Sequence, residues 1–483
     1  MKRILIFALA GVLRAQDDPA AGLPRHIKTF IDVFATVENE AADPISRDQA
    51  IYQGALPAML RTLDPHSAFF DPGQFTQLQQ MQRGESKGFG TIVSIVPGRV
   101  IVLQTIDGAP AQKAGLAAGD EILAINNIPL GGLEPEQLIQ LLGAARQQTA
   151  ALDVRKPGNA RLFRLTLTPA LVDSPSVDRV FLIAPGVGYL RVTGFEEATG
   201  KLLREAIQTL GGEKLKGLVI DLRDNPGGAV QSAAESASLF LGPDQVIFSV
   251  RPRRGEEQTV RVPKLNANYK FPLALLMNSK SASAAEILAG ALQDHDRATI
   301  LGEPSYGKGI VQNVFTLSSN TALALTVAFY YTPSGRSIQK PLESGSLNVS
   351  AKATPGTFHT DRGRDVVGGG GIQPDELIGP PIPSRLVIVL DASGSLTTFA
   401  SEYVQSHDVP ETFEVTPAVM DQLQGFLSAR DIRPGVGEWL RDRDLIQSKL
   451  KQEIFNLKFG VAKGDEIEMR RDPVVLRALL KLR

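Results

Sequence analysis

The sequence predicts a multidomain α/β protein with a β-rich module inserted between a helical N-terminal region and an α/β core, followed by a helical C-terminal region. Residues 22–84 and 391–483 carry apolar side chains at helical spacing. Short strands with glycine turns and one helix occupy residues 85–170. Strand-like and helix-like segments then alternate from residue 171 to about 390, which is typical of a sheet with crossover helices.

The composition excludes several classes of function. At 483 residues the chain is long enough for about three domains. Lys and Arg number 51 against 52 Asp and Glu, so the chain has no general attraction to nucleic acid or to an anionic membrane. The absence of cysteine excludes disulfides, thiol nucleophiles and thiolate metal sites. Binding must therefore come from local sites.

The N-terminus is typical of a secretory signal. The basic start MKR is followed by the apolar run ILIFALAGVL, which is too short to span a bilayer. We expect residues 1–15 to be removed and the mature protein to work in the periplasm or cell envelope; the alternative is a buried first helix. Since no other apolar run reaches the length of a membrane helix, we expect no integral span in the mature chain.

A candidate nucleophile and a candidate base lie between residues 273 and 312. The apolar run LALLM predicts a strand and SAAEILAGALQDH a helix, so Ser283 falls at a strand-to-helix turn, where free N–H groups stabilise negative charge. A serine nucleophile needs a base, yet none of the five histidines is placed beside such a turn. Lysine can replace histidine where burial lowers its pKa. Lys308, between two glycines and beside Ile310, suits that role.

Three short motifs match other kinds of site and are interpreted otherwise. Gly302 and Gly307-Lys308 nearly form a phosphate-binding loop, but Gly309 replaces the Ser or Thr that would hold magnesium. Ser337 to Lys340 matches the S-x-x-K pattern without its partner motifs. Asp391-x-Ser393-x-Ser395 matches the opening of a metal-dependent adhesion site, without the further ligands. We therefore predict neither a metal site nor a cofactor.

The residues around Ser283 carry a family resemblance. The string SASAAEI from Ser281, then Gly302-Glu303, Gly307-Lys308-Gly309 and Gln312, resembles the C-terminal processing peptidases, also called tail-specific proteases. The resemblance implies a crotonase/Clp-like α/β core with Ser283 as nucleophile, Lys308 as general base and Gln312 orienting the lysine. Ala285 stands where many relatives have a third serine, a position with no catalytic role.

A second loop is a candidate for the oxyanion hole. The strand LKGLVIDLR runs into Asp224-Asn225-Pro226-Gly227-Gly228 before a helix, which places glycine amides at a helix N-terminus. In the resembled family this loop supplies one side of the oxyanion hole. We assign Gly227 or Gly228 to that side and the Ala284 amide to the other.

The inserted module resembles a PDZ domain of the bacterial, circularly permuted kind. The resemblance rests on the runs GAPAQKAGL from Gly108 and GDEILAIN from Gly119. Such domains hold a C-terminal carboxylate on successive backbone N–H groups while the tail adds as a strand. The residues expected to bind a substrate tail are the loop Gly88, Phe89, Gly90 and Thr91 and the helix residues Leu138, Leu141 and Leu142.

Together these features predict an exported serine endopeptidase that cleaves proteins near their C-terminus, with unfolded or C-terminal tails as partners. One alternative is a non-catalytic PDZ scaffold or ligand carrier on the same fold, and another is a crotonase-type acyl enzyme. A homodimer or an adaptor protein is left open as a further partner. The LDPHS segment, which contains His66, is interpreted as a turn before the next domain rather than as a ligand site.

Overall fold

A computed structural model describes residues 22–252, 255–265, 268–341 and 356–483 of the chain. The predicted signal segment, 1–15, lies outside these ranges. Within them, no helix combines the length and the apolar character needed to cross a bilayer.

The N-terminal region consists of helices and one short strand. Its elements are α1 (Leu23–Glu40), a π-helical segment (Gln49–Ala55), α2 (Leu56–Arg61), β1 (Ala68–Phe70) and α3 (Pro72–Gln82). None of the residues of α1 is buried. Strand β1 leaves the helices and pairs with a core strand, with Ala68 opposite Ala324. The N-terminal region is therefore joined to the core through a sheet.

The inserted module is a small β domain with one long helix. Its elements are β2 (Glu85–Gly88), β3 (Thr91–Val96), β4 (Arg99–Thr105), α4 (Pro110–Lys113), β5 (Glu121–Ile125), β6 (Ile128–Pro129), α5 (Pro135–Ala145), β7 (Ala150–Arg155), β8 (Leu162–Leu167) and β9 (Ala170–Asp173). The sheet order is β3-β4-β5-β7-β8, which leaves one edge of β3 unpaired within the described chain. The antiparallel ladder of β2 with β9 brings the entry and the exit of the module together.

The core contains a six-stranded sheet in the order β10-β11-β12-β15-β16-β21. Its first pair is antiparallel and the others are parallel. The helices and strands of the whole core are β10 (Val177–Ala184), β11 (Val187–Val192), α6 (Thr199–Leu210), β12 (Gly217–Asp221), α7 (Val230–Ser238), β13 (Val246–Pro252), β14 (Gln258–Arg261), β15 (Leu273–Met277), α8 (Ala284–Asp294), β16 (Ala298–Gly302), β17 (Ile310–Thr316), β18 (Ala322–Tyr331), β19 (Thr357–His359), β20 (Asp365–Val367) and β21 (Glu376–Leu377).

Two loops meet at one edge of this sheet. Strands β12 and β15 are parallel neighbours, with Asp221 opposite Leu276, so the segments that follow them leave from the same edge. A second sheet, β1-β18-β13-β14 with β17 beside β18, stands next to it. Strands β17 and β18 form an antiparallel hairpin. The mixed α/β architecture is confirmed, while the crotonase/Clp-like description of the core stays a prediction.

The C-terminal helices begin at Arg385 and pack on two parts of the molecule. They are α9 (Arg385–Ser393), α10 (Ser395–Ser406), α11 (Pro417–Ser428), α12 (Val436–Phe459), α13 (Val461–Met469) and α14 (Pro473–Lys481). Val96, Ile101 and Leu103 of the β module lie in the apolar cluster of the first four helices. Val475 and Ala478 of α14 pack on the face of the core sheet opposite α6, α7 and α8.

Candidate active site

Ser283 occupies a strained position between β15 and α8. Its φ of 54° and ψ of −114° lie outside the regions that a non-glycine residue ordinarily adopts. The side chain is only partly buried, whereas every residue of α8 behind it is buried. Backbone strain of this kind costs roughly 1–3 kcal/mol and persists where the surroundings fix it. The serine is therefore presented at the sheet edge on a rigid support.

The support is the carboxylate of Glu286, which is fully buried beneath the serine turn. Its Oε2 accepts from the backbone N–H of Ser283 at 2.7 Å and of Lys308 at 2.9 Å. Its Oε1 accepts from Gly307 N at 2.7 Å and from the hydroxyl of Ser305. Burial raises the pKa of Glu286, and the four donors act in the opposite direction. One carboxylate thereby ties the nucleophile turn to the lysine loop.

Lys308 lies partly buried on the other side of this carboxylate. Burial lowers the pKa of Lys308, and the negative charges of Asp64 and Glu286 oppose that shift. Its Nζ donates to Gln312 Oε1 at 2.9 Å. In the described chain no hydrogen bond joins Lys308 Nζ to Ser283 Oγ. The two backbones are nevertheless adjacent, because both bind the same oxygen of Glu286.

The loop after β12 reaches the same place. A Cβ added to Gly227 would lie 2.7 Å from Ser283 Cβ and 2.9 Å from the Ala284 nitrogen. The Gly227 N–H donates to Asn225 Oδ1 at 2.8 Å and is therefore occupied. The amides of Gly228 and Ala284 donate to no protein acceptor in the described ranges. These bonds distinguish the two glycines that the sequence left open, because the Gly228 N–H is available and the Gly227 N–H is not.

Asn225 shapes this loop and was not singled out from the sequence. Its fully buried side-chain amide also donates to Val192 O at 2.7 Å, and its backbone carbonyl accepts from Ala282 N at 2.9 Å. The residue thus fixes the loop to β11 and to the turn before Ser283. Asparagine is a common turn residue because it bonds its own neighbouring backbone, and that preference is the only sequence signal for this role.

Replacing Gly228 with alanine should lower kcat/KM by about 10²- to 10³-fold, the usual range for loss of one oxyanion donor. Its φ is 142°, and a Cβ would lie 2.0 Å from Phe195 O, so the loop must move. Steady-state kinetics on a peptide substrate measures the effect. The control is Gly425→Ala in α11, where nothing lies within 4 Å of the added Cβ. Equal activity in both variants would remove Gly228 from the site.

The loop 88–91 of the β module presents free backbone donors. Phe89 and Gly90 accept hydrogen bonds at their carbonyls, but their N–H groups donate to no backbone acceptor in the described chain. The open edge of β3 begins at Thr91 and faces α5. Leu141 and Leu142 of α5 are half-buried. The prediction for Leu138 is corrected, because that side chain is fully buried in the apolar core of the module.

Comparisons with known proteins agree with this architecture. A family model described as Peptidase family S41 matches residues 186–345, and one described as PDZ domain matches residues 101–156. A carboxy-terminal-processing protease of Bartonella bacilliformis is 35% identical over 320 residues, covering 65% of this chain and 73% of the relative. The chloroplastic carboxyl-terminal-processing peptidase 2 of Arabidopsis thaliana is 31% identical, covering 70% of this chain and 71% of the relative. The chain therefore belongs to peptidase family S41 and is a serine-type peptidase.

Within that family the chain is similar to proteins named carboxy-terminal processing proteases, among them one of Bacillus subtilis at 28% identity. A solved structure, the photosystem II D1 C-terminal processing protease, is 26% identical with a TM-score of 0.39 and covers 74% of this chain and 90% of that one. The resemblance stated from the sequence is confirmed. A peptidase that carries a PDZ domain acts on peptide or protein substrates.

Proposed function

We propose that the chain is an exported endopeptidase that uses Ser283 and Lys308 as a catalytic pair and cleaves protein substrates near their C-terminus. The observation that carries the proposal is the buried carboxylate of Glu286, which binds the backbone of both residues. Lys308 is partly buried beside this carboxylate, and its Nζ donates to Gln312 Oε1 at 2.9 Å, whereas Lys280 of the serine turn is exposed. Export rests on the predicted signal segment, residues 1–15.

The chemistry follows from these positions. The neutral amine of Lys308 takes the proton of the Ser283 hydroxyl as Oγ bonds to the scissile carbonyl carbon. The amides of Gly228 and Ala284 stabilise the resulting oxyanion. The peptide C–N bond then breaks, and Lys308 returns the proton to the leaving amine. Water attacks the acyl-enzyme by the same route in reverse, which releases the carboxylate product and the free serine.

The β module is proposed to read the substrate tail. The free N–H groups of Phe89 and Gly90 form a concave group of donors suited to a carboxylate. The unpaired edge of β3 accepts an added strand, and Leu141 and Leu142 line the opposite side with apolar surface. Because the net charge of the chain is −1, long-range attraction does not select the substrate. We infer a preference for unstructured substrates with an apolar C-terminus.

The free C-terminal carboxylate of a substrate should raise kcat/KM about tenfold to a hundredfold. A hydrogen bond to a charged group contributes roughly 1.5–3 kcal/mol, which corresponds to that range. The test compares one long peptide as free acid and as C-terminal amide on the full chain. A peptide too short to reach from the β module to Ser283 is the control and should show no difference. Equal cleavage of the long acid and the long amide would show that the module does not read the tail.

A further inference from the structure

The turn between α2 and β1 is built on a buried carboxylate. Asp64 is 2% exposed. Its Oδ1 accepts from the backbone N–H groups of His66 and Ser67, both at 2.7 Å, and its Oδ2 accepts from the Ser67 hydroxyl at 2.7 Å. The Ser67 hydroxyl also accepts from Thr326 N of β18 at 3.2 Å. These bonds hold the His66 backbone in one place against the core.

From this turn a chain of hydrogen bonds leads to the lysine. The side-chain Nε2 of Gln312 donates to the backbone carbonyl of His66 at 2.7 Å. The other end of the same amide, Oε1, accepts from Lys308 Nζ at 2.9 Å. The carbonyl can only accept, so it fixes which end of the Gln312 amide faces the lysine. The turn that contains His66, although distant from Lys308 in sequence, thereby orients the Gln312 oxygen toward the lysine.

We propose that Asp64 is a positioning residue of the peptidase site, acting on Lys308 through the His66–Gln312 hydrogen-bond chain and through its own negative charge. The proposal rests on the proposed role of Lys308 as general base. It extends the site from the peptidase core to the N-terminal region, so that the turn 63–67 completes the environment of the base.

The charges around the lysine support this assignment. The titratable groups that face Lys308 are Asp64 and His66 from the N-terminal turn and Glu286 from α8. Burial lowers the pKa of His66, the charge of Lys308 lowers it further, and Asp64 acts in the opposite direction. Burial and the neighbouring lysine therefore both favour the neutral form of His66. Asp64 and Glu286 are the two negative charges that stabilise the ammonium form.

The charge of Asp64 determines the direction in which the pH profile should move. Asp64→Asn removes a negative charge that favours the protonated lysine, so the neutral base is present at lower pH. The acid limb of the profile of kcat/KM against pH should move to lower pH. The plateau should fall roughly tenfold, because the loosened turn no longer orients Gln312. Asp64→Glu keeps the charge and changes the turn, so its plateau should fall while its acid limb stays in place.

The experiment measures pH profiles of the full chain carrying Asp64→Asn, Asp64→Glu or the control Asp71→Asn. Asp71 is the N-cap of α3 in the same region, and its side chain accepts from Gln74 N. A second readout does not require turnover: acetic anhydride modifies the neutral amine of Lys308, and peptide mass spectrometry follows the modification against pH in the Ser283→Ala background. Thermal unfolding establishes that each variant is folded.

The expected result is that the acid limb of the activity profile and the pH dependence of Lys308 labelling both move to lower pH in Asp64→Asn alone. An acid limb and a labelling curve in Asp64→Asn that coincide with those of Asp71→Asn would overturn the proposal, whatever the height of the plateau. Should Asp64→Asn fail to fold, a wild-type acid limb with a wild-type plateau in Asp64→Glu would overturn it. Failure of the Ser/Lys assignment is a separate outcome, in which Lys308→Ala itself retains activity.

Discussion

Ser283→Ala and Lys308→Ala should each reduce peptide cleavage by about 10⁴-fold or more without unfolding the protein. In the proposed mechanism the serine supplies the attacking oxygen and the lysine is its base. Removal of one member of such a unit costs about as much as removal of all. Lys308→Arg should fail as well, because arginine does not lose its proton at working pH. The measurement is kcat/KM on an unfolded protein or a peptide substrate.

The pH dependence of the wild-type enzyme follows from the same assignment. Since burial lowers the pKa of Lys308, the neutral base forms at lower pH than for an exposed lysine. Activity should rise as pH rises through that pKa.

The matched control for the Lys308→Ala variant is Lys280→Ala. Lys280 is an exposed lysine in the turn before Ser283 and pairs with Asp224 at 3.3 Å. Full activity in Lys308→Ala would end the assignment and require another base.

Glu286→Gln should reduce kcat/KM more than a hundredfold and also lower the Tm by several degrees. All four partners of the carboxylate are donors. Glutamine has one acceptor oxygen, and its NH₂ would face two N–H or O–H groups, which leaves buried donors unsatisfied at about 1–3 kcal/mol each. The Ser283 turn or the Lys308 loop must then move, so that the nucleophile and the base no longer meet.

The comparison for this variant is Glu235→Gln on α7, where the side chain is exposed and accepts a hydrogen bond from Gln231. Kinetics and thermal unfolding are measured on both. A loss of stability without a loss of kcat would show that Glu286 supports the fold but not the geometry of the site. Unchanged kcat and Tm in Glu286→Gln would contradict the hydrogen-bond arrangement itself.

The sequence predicted the local features of the site and missed those that join distant segments. The position of Ser283 followed from an apolar strand, a break and a helical repeat, all within one short stretch. Glu286 lies three residues after Ser283, in a spacing that is itself a helix-start pattern, although its link to Lys308 was not predicted. The bond of Gln312 to His66 joins residues 246 positions apart, and no local pattern reports such a contact.

The wrong prediction for Leu138 has a similar origin. Periodicity shows that one side of α5 is apolar, and the residues on that side were all assigned to the groove. The helix divides this surface: Leu138 faces the interior of the module, and Leu141 and Leu142 lie at its border. Which apolar residue is covered depends on where the sheet lies, which the helix sequence alone does not contain. The choice between Gly227 and Gly228 depended likewise on a neighbouring side chain, Asn225.

The packing of α14 on the core sheet has a consequence for the order in which the core is completed during synthesis. During synthesis Ser283, Lys308 and their loops leave the ribosome long before the residues of α14. Until then the sheet face around Val219 and Leu276 lacks its cover, and Arg223, beside the oxyanion loop, lacks the Asp472 carboxylate that it binds at 2.7 Å. The order of synthesis therefore leaves this face of the core sheet, and the Arg223 side chain, without their partners until the chain has been made through α14.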